Sequence, residues 1–172
     1  MISTDGCHAV KRLLIVTITL WGPDVRQQHQ QGIILLVDDS PDDVELTQRA
    51  FQRSHLRSRL ITKRDGQEAL DYLFGTDNGN QANPLPDVIL LDLNMPRIHG
   101  LEVLQRIRSE GRTRAVPVVV LTTSDEQRDI IDSYQLGANS YIRKPVDINE
   151  FFAAIQSLEQ YWTMRNVLPP TI

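Results

Sequence analysis

From Gly32 onward, short apolar runs rich in β-branched residues alternate with longer segments of helical period. Ile33 to Val37, Leu60 to Thr62, Val88 to Leu91, Val118 to Leu121 and Tyr141-Ile142 read as five strands. Most of them are apolar at every position rather than at alternate ones, the pattern of strands covered on both faces of a parallel sheet. The intervening segments carry helix start signals. Ser40-Pro41-Asp42-Asp43 offers a capping serine, a proline at the first helical position and an acid three residues on, ahead of Val44, Thr47 and Phe51 on one face. Ser124-Asp125-Glu126-Gln127 repeats that logic before Ile130, Ile131 and Tyr134. Asp147 and Glu150 do the same around the stripe Ile148, Phe151, Phe152, Ile155, Leu158 and Trp162. Gln67 to Phe74 and Leu101 to Ser109 complete five helices. The alternation predicts an α/β fold, a doubly wound (βα)5 arrangement around a five-stranded parallel sheet.

The chain of 172 residues, 41% of them hydrophobic, suits one well-buried domain rather than two. Its core is expected over residues 32–164, preceded by an extension over 1–31 and followed by a tail over 165–172. In the extension, Lys11-Arg12 precedes the apolar run Leu13 to Leu20, far short of the roughly 20 residues that span a bilayer. Trp21-Gly22-Pro23-Asp24 stands where a signal peptide would place its cleavage site, and Gln27-Gln28-His29-Gln30-Gln31 reads as a linker. A cytoplasmic protein without membrane attachment is expected. Gly75 to Asp87 forms a long connection between the second helix and the third strand, the kind of loop that is either functional or a tolerated insertion.

Composition narrows the function. A net charge of -4 argues against a nucleic-acid binder, which relies on clustered Lys and Arg. The single Cys7 allows no internal disulfide, in keeping with a reducing compartment. His8, His29, His55 and His99 are scattered, without the paired spacing of a zinc site.

In open parallel sheets, ligands bind beyond the carboxyl ends of the strands. Asp38-Asp39 follow the first strand, Asp92 the third, Thr122 the fourth and Lys144 the fifth. Singly, each has a plain explanation: turn acids, a strand-end threonine, a solvated lysine before a proline. Together they bring three carboxylates, a hydroxyl and an ammonium to one rim. Carboxylates held that close repel one another and resist ionisation without a compensating cation. A hard divalent ion resolves this, and Mg²⁺ suits a few carboxylates, a carbonyl and several waters. With Lys144 as a point charge and Thr122 as a donor, Asp92 can then attack a phosphoryl group, helped mainly by positioning and charge stabilisation.

The motifs Leu35-Leu36-Val37-Asp38-Asp39, Leu90-Leu91-Asp92-Leu93-Asn94-Met95-Pro96 with Gly100, Val120-Leu121-Thr122, Gly137-Ala138 and Tyr141-Ile142-Arg143-Lys144-Pro145 strongly resemble the receiver domains of two-component response regulators. The likeness covers Gly32 to about Trp162. It implies a flavodoxin-like sheet in strand order 2-1-3-4-5 and phosphorylation of Asp92 by a histidine kinase. It also implies Mg²⁺ held by Asp39 directly, by Asp38 mostly through water, by Asp92 and by the Asn94 backbone carbonyl. Thr122 would move toward the phosphoryl group, Lys144 would pair with it, Tyr141 would report it by rotating, and the Lys144-Pro145 bond would be cis. His99 replaces the acid usual before the glycine, and Val146 the phenylalanine common after Lys-Pro; neither position touches the phosphoryl group in the family. Ser124 and Asn94 occupy the two positions that tune dephosphorylation. The long Gly75 to Asp87 loop and the Glu159-Gln160-Tyr161-Trp162 ending look like the small regulators that partner phytochrome-type histidine kinases.

After the fifth helix only a tail ending Leu168-Pro169-Pro170-Thr171-Ile172 follows, so output is expected through protein contacts and not through a DNA-binding domain. The surface around Tyr141, Phe151 and Trp162 is the expected interaction or dimerisation face, formed by the last helix, strand and helix, with packing against the sheet accounting for at least Phe151 or Phe152. Three other readings compete. A flavin or nucleotide site is disfavoured because Asp38, Asp39, Asp42 and Asp43 would repel an anion after the first strand. A phosphohydrolase of the haloacid dehalogenase type would need a second acid where Asn94 stands. A degraded receiver acting as a scaffold would not keep the acids, Thr122 and Lys144 together. Apart from its own aspartyl phosphorylation and dephosphorylation, no enzymatic activity is expected.

Overall fold

The computed structural model describes residues 32–54, 58–77 and 81–167. The apolar run Leu13 to Leu20 and the tail from Leu168 lie outside the described residues. In chain order the elements are β1 (Ile33–Val37), α1 (Pro41–Arg53), β2 (Arg59–Lys63), α2 (Gly66–Phe74), β3 (Thr76–Asp77), β4 (Gln81–Ala82), β5 (Val88–Leu91) and α3 (Gly100–Ser109). They continue with β6 (Val118–Thr122), α4 (Gln127–Gln135), β7 (Ser140–Arg143), α5 (Ile148–Gln160) and a π-helical turn over Tyr161–Arg165.

Five strands form one parallel sheet in the order β2-β1-β5-β6-β7. With the small β3-β4 hairpin set aside, this is the expected 2-1-3-4-5. The chain runs outward from β1 to β2, then returns past β1 to β5. The loops after β1 and β5 therefore diverge and open a crevice above neighbouring strand ends. Leu36 pairs with both Thr62 and Leu90, which sets β1 in register between β2 and β5. The ladder continues past the strand ends, where Asp38 donates its N–H to the Lys63 carbonyl at 3.0 Å and Asp92 its N–H to the Val37 carbonyl at 2.9 Å.

The strands are apolar throughout because each side is covered. Leu35, Val37, Ile89, Leu91, Val118 and Val120 pack against Ala69, Leu73, Val103, Leu104 and Ile107 of α2 and α3. On the opposite side, Ile34, Leu36, Val88, Leu90, Val119 and Leu121 meet Ala50 of α1 and Phe151, Phe152, Ile155 and Leu158 of α5. Each fully buried aliphatic side chain contributes about 1.5–3 kcal/mol, so the two layers hold the strand ends in place.

Capping behaves as expected at α1 and α5. The Ser40 hydroxyl accepts from the Asp43 N–H at 3.3 Å, with Pro41 opening the helix. Asp147 accepts from the N–H groups of Asn149 and Glu150 at 2.8 and 3.0 Å. At α4 the expectation fails. The helix begins one residue after Glu126 with no side-chain cap. Ser124 lies too far upstream, and its hydroxyl instead accepts from the Glu126 N–H and donates to the Asp129 carboxylate at 2.6 Å. Nor is the apolar face of α4 buried: Ile131 and Tyr134 are about half exposed, while Ser133 is fully enclosed. This helix packs beside the edge strand β7, where little sheet remains to cover.

The long connection after α2 contains the β3-β4 hairpin, whose return limb is tied down by Tyr72 donating to the Pro84 carbonyl (2.9 Å) and Asn83 donating to the Tyr72 carbonyl (3.0 Å). Phe151, expected on an interaction surface, points into the core and is 3% exposed. No peptide bond among the described residues is cis, so Lys144-Pro145 is trans.

Gly100 opens α3 where a Cβ would stand 2.2 Å from the Asp92 carbonyl oxygen and 2.7 Å from the Leu93 Cα. Both are backbone atoms that cannot turn aside. Gly100→Ala is expected to destabilise the fold by about 2 kcal/mol or more, seen as a lower urea midpoint at unchanged slope.

Candidate functional site

The two acids after β1 differ sharply in environment: Asp38 is 1% exposed, whereas Asp39 faces solvent. Asp92, directly after β5, is 5% exposed. One oxygen from each of Asp38, Asp39 and Asp92 lies within 4.8 Å of the others. Lys144 follows β7 on the far side of β6, and its N–H donates to the Thr122 carbonyl at 2.8 Å, which carries it toward the sheet centre. Its ammonium donates to Asp43 at 2.7 Å, Asp38 at 2.8 Å and Asp92 at 3.0 Å. An ammonium has three N–H bonds, and all are used.

Burial pushes the Asp38 carboxyl up; Lys144 and the Ser40 N–H oppose that, and Asp92 adds to it. Burial also opposes the charge on Lys144, yet Asp38, Asp43 and Asp92 outweigh it and hold the ammonium well above the ordinary lysine range. One cation among four carboxylates leaves surplus negative charge. The donors are all oxygen, and they fit a hard divalent cation that would complete the neutralisation.

The remaining expected residues surround this cluster. Asn94 is exposed, and its N–H donates to Asp92 Oδ1 at 3.2 Å, holding the loop that would present its carbonyl. The same loop is tethered by Arg97, which adopts φ 69° and pairs with the buried Asp65. Thr122 is fully buried, and its hydroxyl accepts from the Ser124 N–H at 3.3 Å. Tyr141 donates to the Ser124 carbonyl at 3.1 Å. Thr122 and Tyr141 thus meet at the two ends of one peptide residue. His99 has a structural task, accepting from the Leu101 N–H at 3.3 Å as the cap of α3.

In the sequence Asp43 stands out as a helix-start acid and as one of the acids that would repel an anion after the first strand, and its contact with Lys144 is not foreseen. The available cue was a second acidic pair, Asp42-Asp43, in the helical turn that springs from the same rim.

Residues 34–156 match the response regulator receiver domain family. The chain belongs to it. It is 40% identical to response regulator Rcp1 of Synechocystis sp. (strain PCC 6803) over 144 residues, which cover 83% of this chain and 97% of that one. The crystal structure of the phosphorylated cyanobacterial phytochrome response regulator RcpA superposes with a TM-score of 0.75 at 38% identity, covering 82% of this chain and all of the other. The Mn²⁺-bound form of Rcp1 gives 0.72 at 38% identity, covering 81% and 99%. This receiver is a phosphorylation-dependent switch of two-component signalling, and receivers bind a divalent metal. Among the described residues, no helix is long and apolar enough to cross a membrane.

Lys144 and a divalent cation draw on the same carboxylates of Asp38 and Asp92. Lys144→Ala is therefore expected to bind Mg²⁺ more tightly, by roughly tenfold for a unit charge removed at this range, as read by calorimetric titration. Weaker binding in the variant would contradict competition between the two.

Proposed function

We propose that Asp92 receives the phosphoryl group from a histidine kinase, with Mg²⁺ as the cation. The observation that carries this is the placement of Asp92 in a three-carboxylate cluster with Lys144 at 3.0 Å from its oxygen. Asp39, the exposed acid, would ligate the ion directly, Asp38 mostly through water, with Asp92 and the Asn94 carbonyl completing the protein ligands. Bound there, the cation supplies charge neutralisation and an anchor for phosphoryl oxygens.

A carboxylate oxygen of Asp92 attacks phosphorus, the bond from phosphorus to the kinase histidine nitrogen breaks, and the nitrogen keeps the electron pair. Lys144 then donates to the phosphoryl group in place of the Asp92 oxygen it holds here. Thr122 turns its hydroxyl from the Ser124 N–H toward the new acceptor, and Tyr141 follows because it shares Ser124. Hydrolysis of the acyl phosphate by water resets the switch, so the chemistry is confined to the protein's own aspartate.

The kinase is of phytochrome type. Support comes from the likeness, along nearly the whole of their lengths, to RcpA and Rcp1. The receiver occupies residues 32–164, between an extension over 1–31 and a tail over 165–172, and works in the cytoplasm, without nucleic-acid or membrane attachment. Output is a protein contact on the face of α4, β7 and α5. Ile131 and Tyr134, about half exposed there, take the part expected of Phe151.

Incubation with acetyl phosphate and Mg²⁺ should place an acid-stable, base-labile phosphate on Asp92, located by peptide mapping, and Asp92→Asn should take up none. Equal labelling of the variant would overturn the assignment. A phosphoryl mimic should also raise the mass measured by light scattering to that of a dimer; an unchanged monomer would remove dimerisation from the proposal.

A further inference from the structure

The three partners of Lys144 are not equivalent. Asp38 and Asp92 belong to the group of carboxylates close enough to share an ion; Asp43 does not, among the described residues. A cation entering the site competes with the ammonium for Asp38 and Asp92. Phosphorylation turns the Asp92 carboxylate into a mixed anhydride, one oxygen bonded to phosphorus, and leaves an acceptor group of different shape. Asp43 alone is claimed by neither event, and it makes the shortest of the three bonds, 2.7 Å.

Its freedom to do so has a local cause. In a common helix start, the acid at the third helical position reaches back to the N–H of the capping serine. Here Asp38 Oδ1 already accepts that Ser40 N–H at 3.1 Å, so Asp43 is released from it. The backbone N–H of Asp43 still serves the Ser40 hydroxyl at 3.3 Å, and its side chain turns to Lys144. Asp38, Ser40, Asp43 and Lys144 close a ring of hydrogen bonds, in which the first turn of α1 both starts the helix and grips the ammonium.

We propose that Asp43 is a positioning residue, a fixed anchor that holds Lys144 at the phosphorylation site and draws it off the metal carboxylates. Only its effect on phosphorylation rests on the role given above to Asp92. Without Asp43, Lys144 leans wholly on Asp38 and Asp92, and it competes harder with the cation while losing its aim at the phosphoryl position.

The test is calorimetric titration of Mn²⁺ alone, with acetyl phosphate labelling in parallel, on the full chain and on Asp43→Ala, Asp43→Asn, Lys144→Ala and the double Asp43→Ala, Lys144→Ala. Asp43→Ala should weaken Mn²⁺ binding and slow labelling, each by roughly tenfold, as expected when a hydrogen bond to a charged group is lost. Asp43→Asn, which keeps an acceptor oxygen, should fall between. In the Lys144→Ala background the effect of Asp43→Ala on Mn²⁺ should shrink to about twofold, the residue of simple charge loss. Because the Ser40 hydroxyl bonds the backbone N–H of residue 43, α1 keeps its start in Asp43→Ala, and the far-ultraviolet circular dichroism should be unchanged. Wild-type Mn²⁺ affinity in Asp43→Ala, or a loss equally large without Lys144, would overturn the proposal. Absent labelling in the wild type would count against Asp92 as acceptor and leave the Mn²⁺ comparison standing.

Discussion

Crowded negative charge at the carboxyl ends of β1 and β5, restrained by one ammonium, is the constraint on which this structure depends. Asp38 and Asp92 are almost wholly buried, and neighbouring carboxylates in that setting repel unless a cation stands between them. Lys144 supplies it from 52 and 106 residues away along the chain. It leaves β7, crosses above β6 and reaches the gap between β1 and β5, so three strand ends are tied by one nitrogen. Removing one side of such a buried contact leaves an uncompensated charge, a far larger penalty than the net stability of the intact pair. The strand order is what makes the contact possible. A sheet in sequential order would not set β1 beside β5 or leave a crevice at that point.

The same arrangement is unfinished as an electrostatic object. One ammonium cannot balance the surrounding carboxylates, and the exposed Asp39 offers an opening for a second cation from solvent. Beside it, Thr122, Ser124, Tyr141 and Asp129 are joined by consecutive hydrogen bonds that run from the buried strand end to the first turn of α4. Asp92 is near enough to Tyr141 to act on it electrostatically, and the bonded group ends in the first turn of α4, the helix that also carries the half-exposed Ile131 and Tyr134. A receiver needs both parts: a site whose charge can be altered, and a surface whose arrangement depends on it.

Much of this was legible in the sequence because parallel sheets write themselves plainly. Runs such as Val88 to Leu91, apolar at every position, have few homes other than a sheet covered on both sides, and the residue after each run must then stand at the functional rim. Asp38, Asp39, Asp92 and Lys144 were reachable by that logic. What stayed hidden depends on distances that no periodicity encodes. Asp43 satisfied the rules of helix capping so well that a second task was invisible. Ser124 carried the same signature but stood too far ahead of α4, and the loop took its hydroxyl. Ile131 and Tyr134 had helical spacing, yet spacing reports a face and not whether anything lies against it. The hairpin after α2 has strands of two residues each, too short for any alternation to show.

The rim formed by Asp38, Asp39 and Asp92 is expected to hold a divalent cation beside the Asp92 carboxylate. Crystals grown with Mn²⁺ and measured for anomalous scattering decide it. The expected result is a single strong peak contacting the carboxylates of Asp39 and Asp92 and the carbonyl of Asn94, with Lys144 still bonded to Asp43. A peak elsewhere, or none at a concentration that supports full phosphorylation, would contradict it.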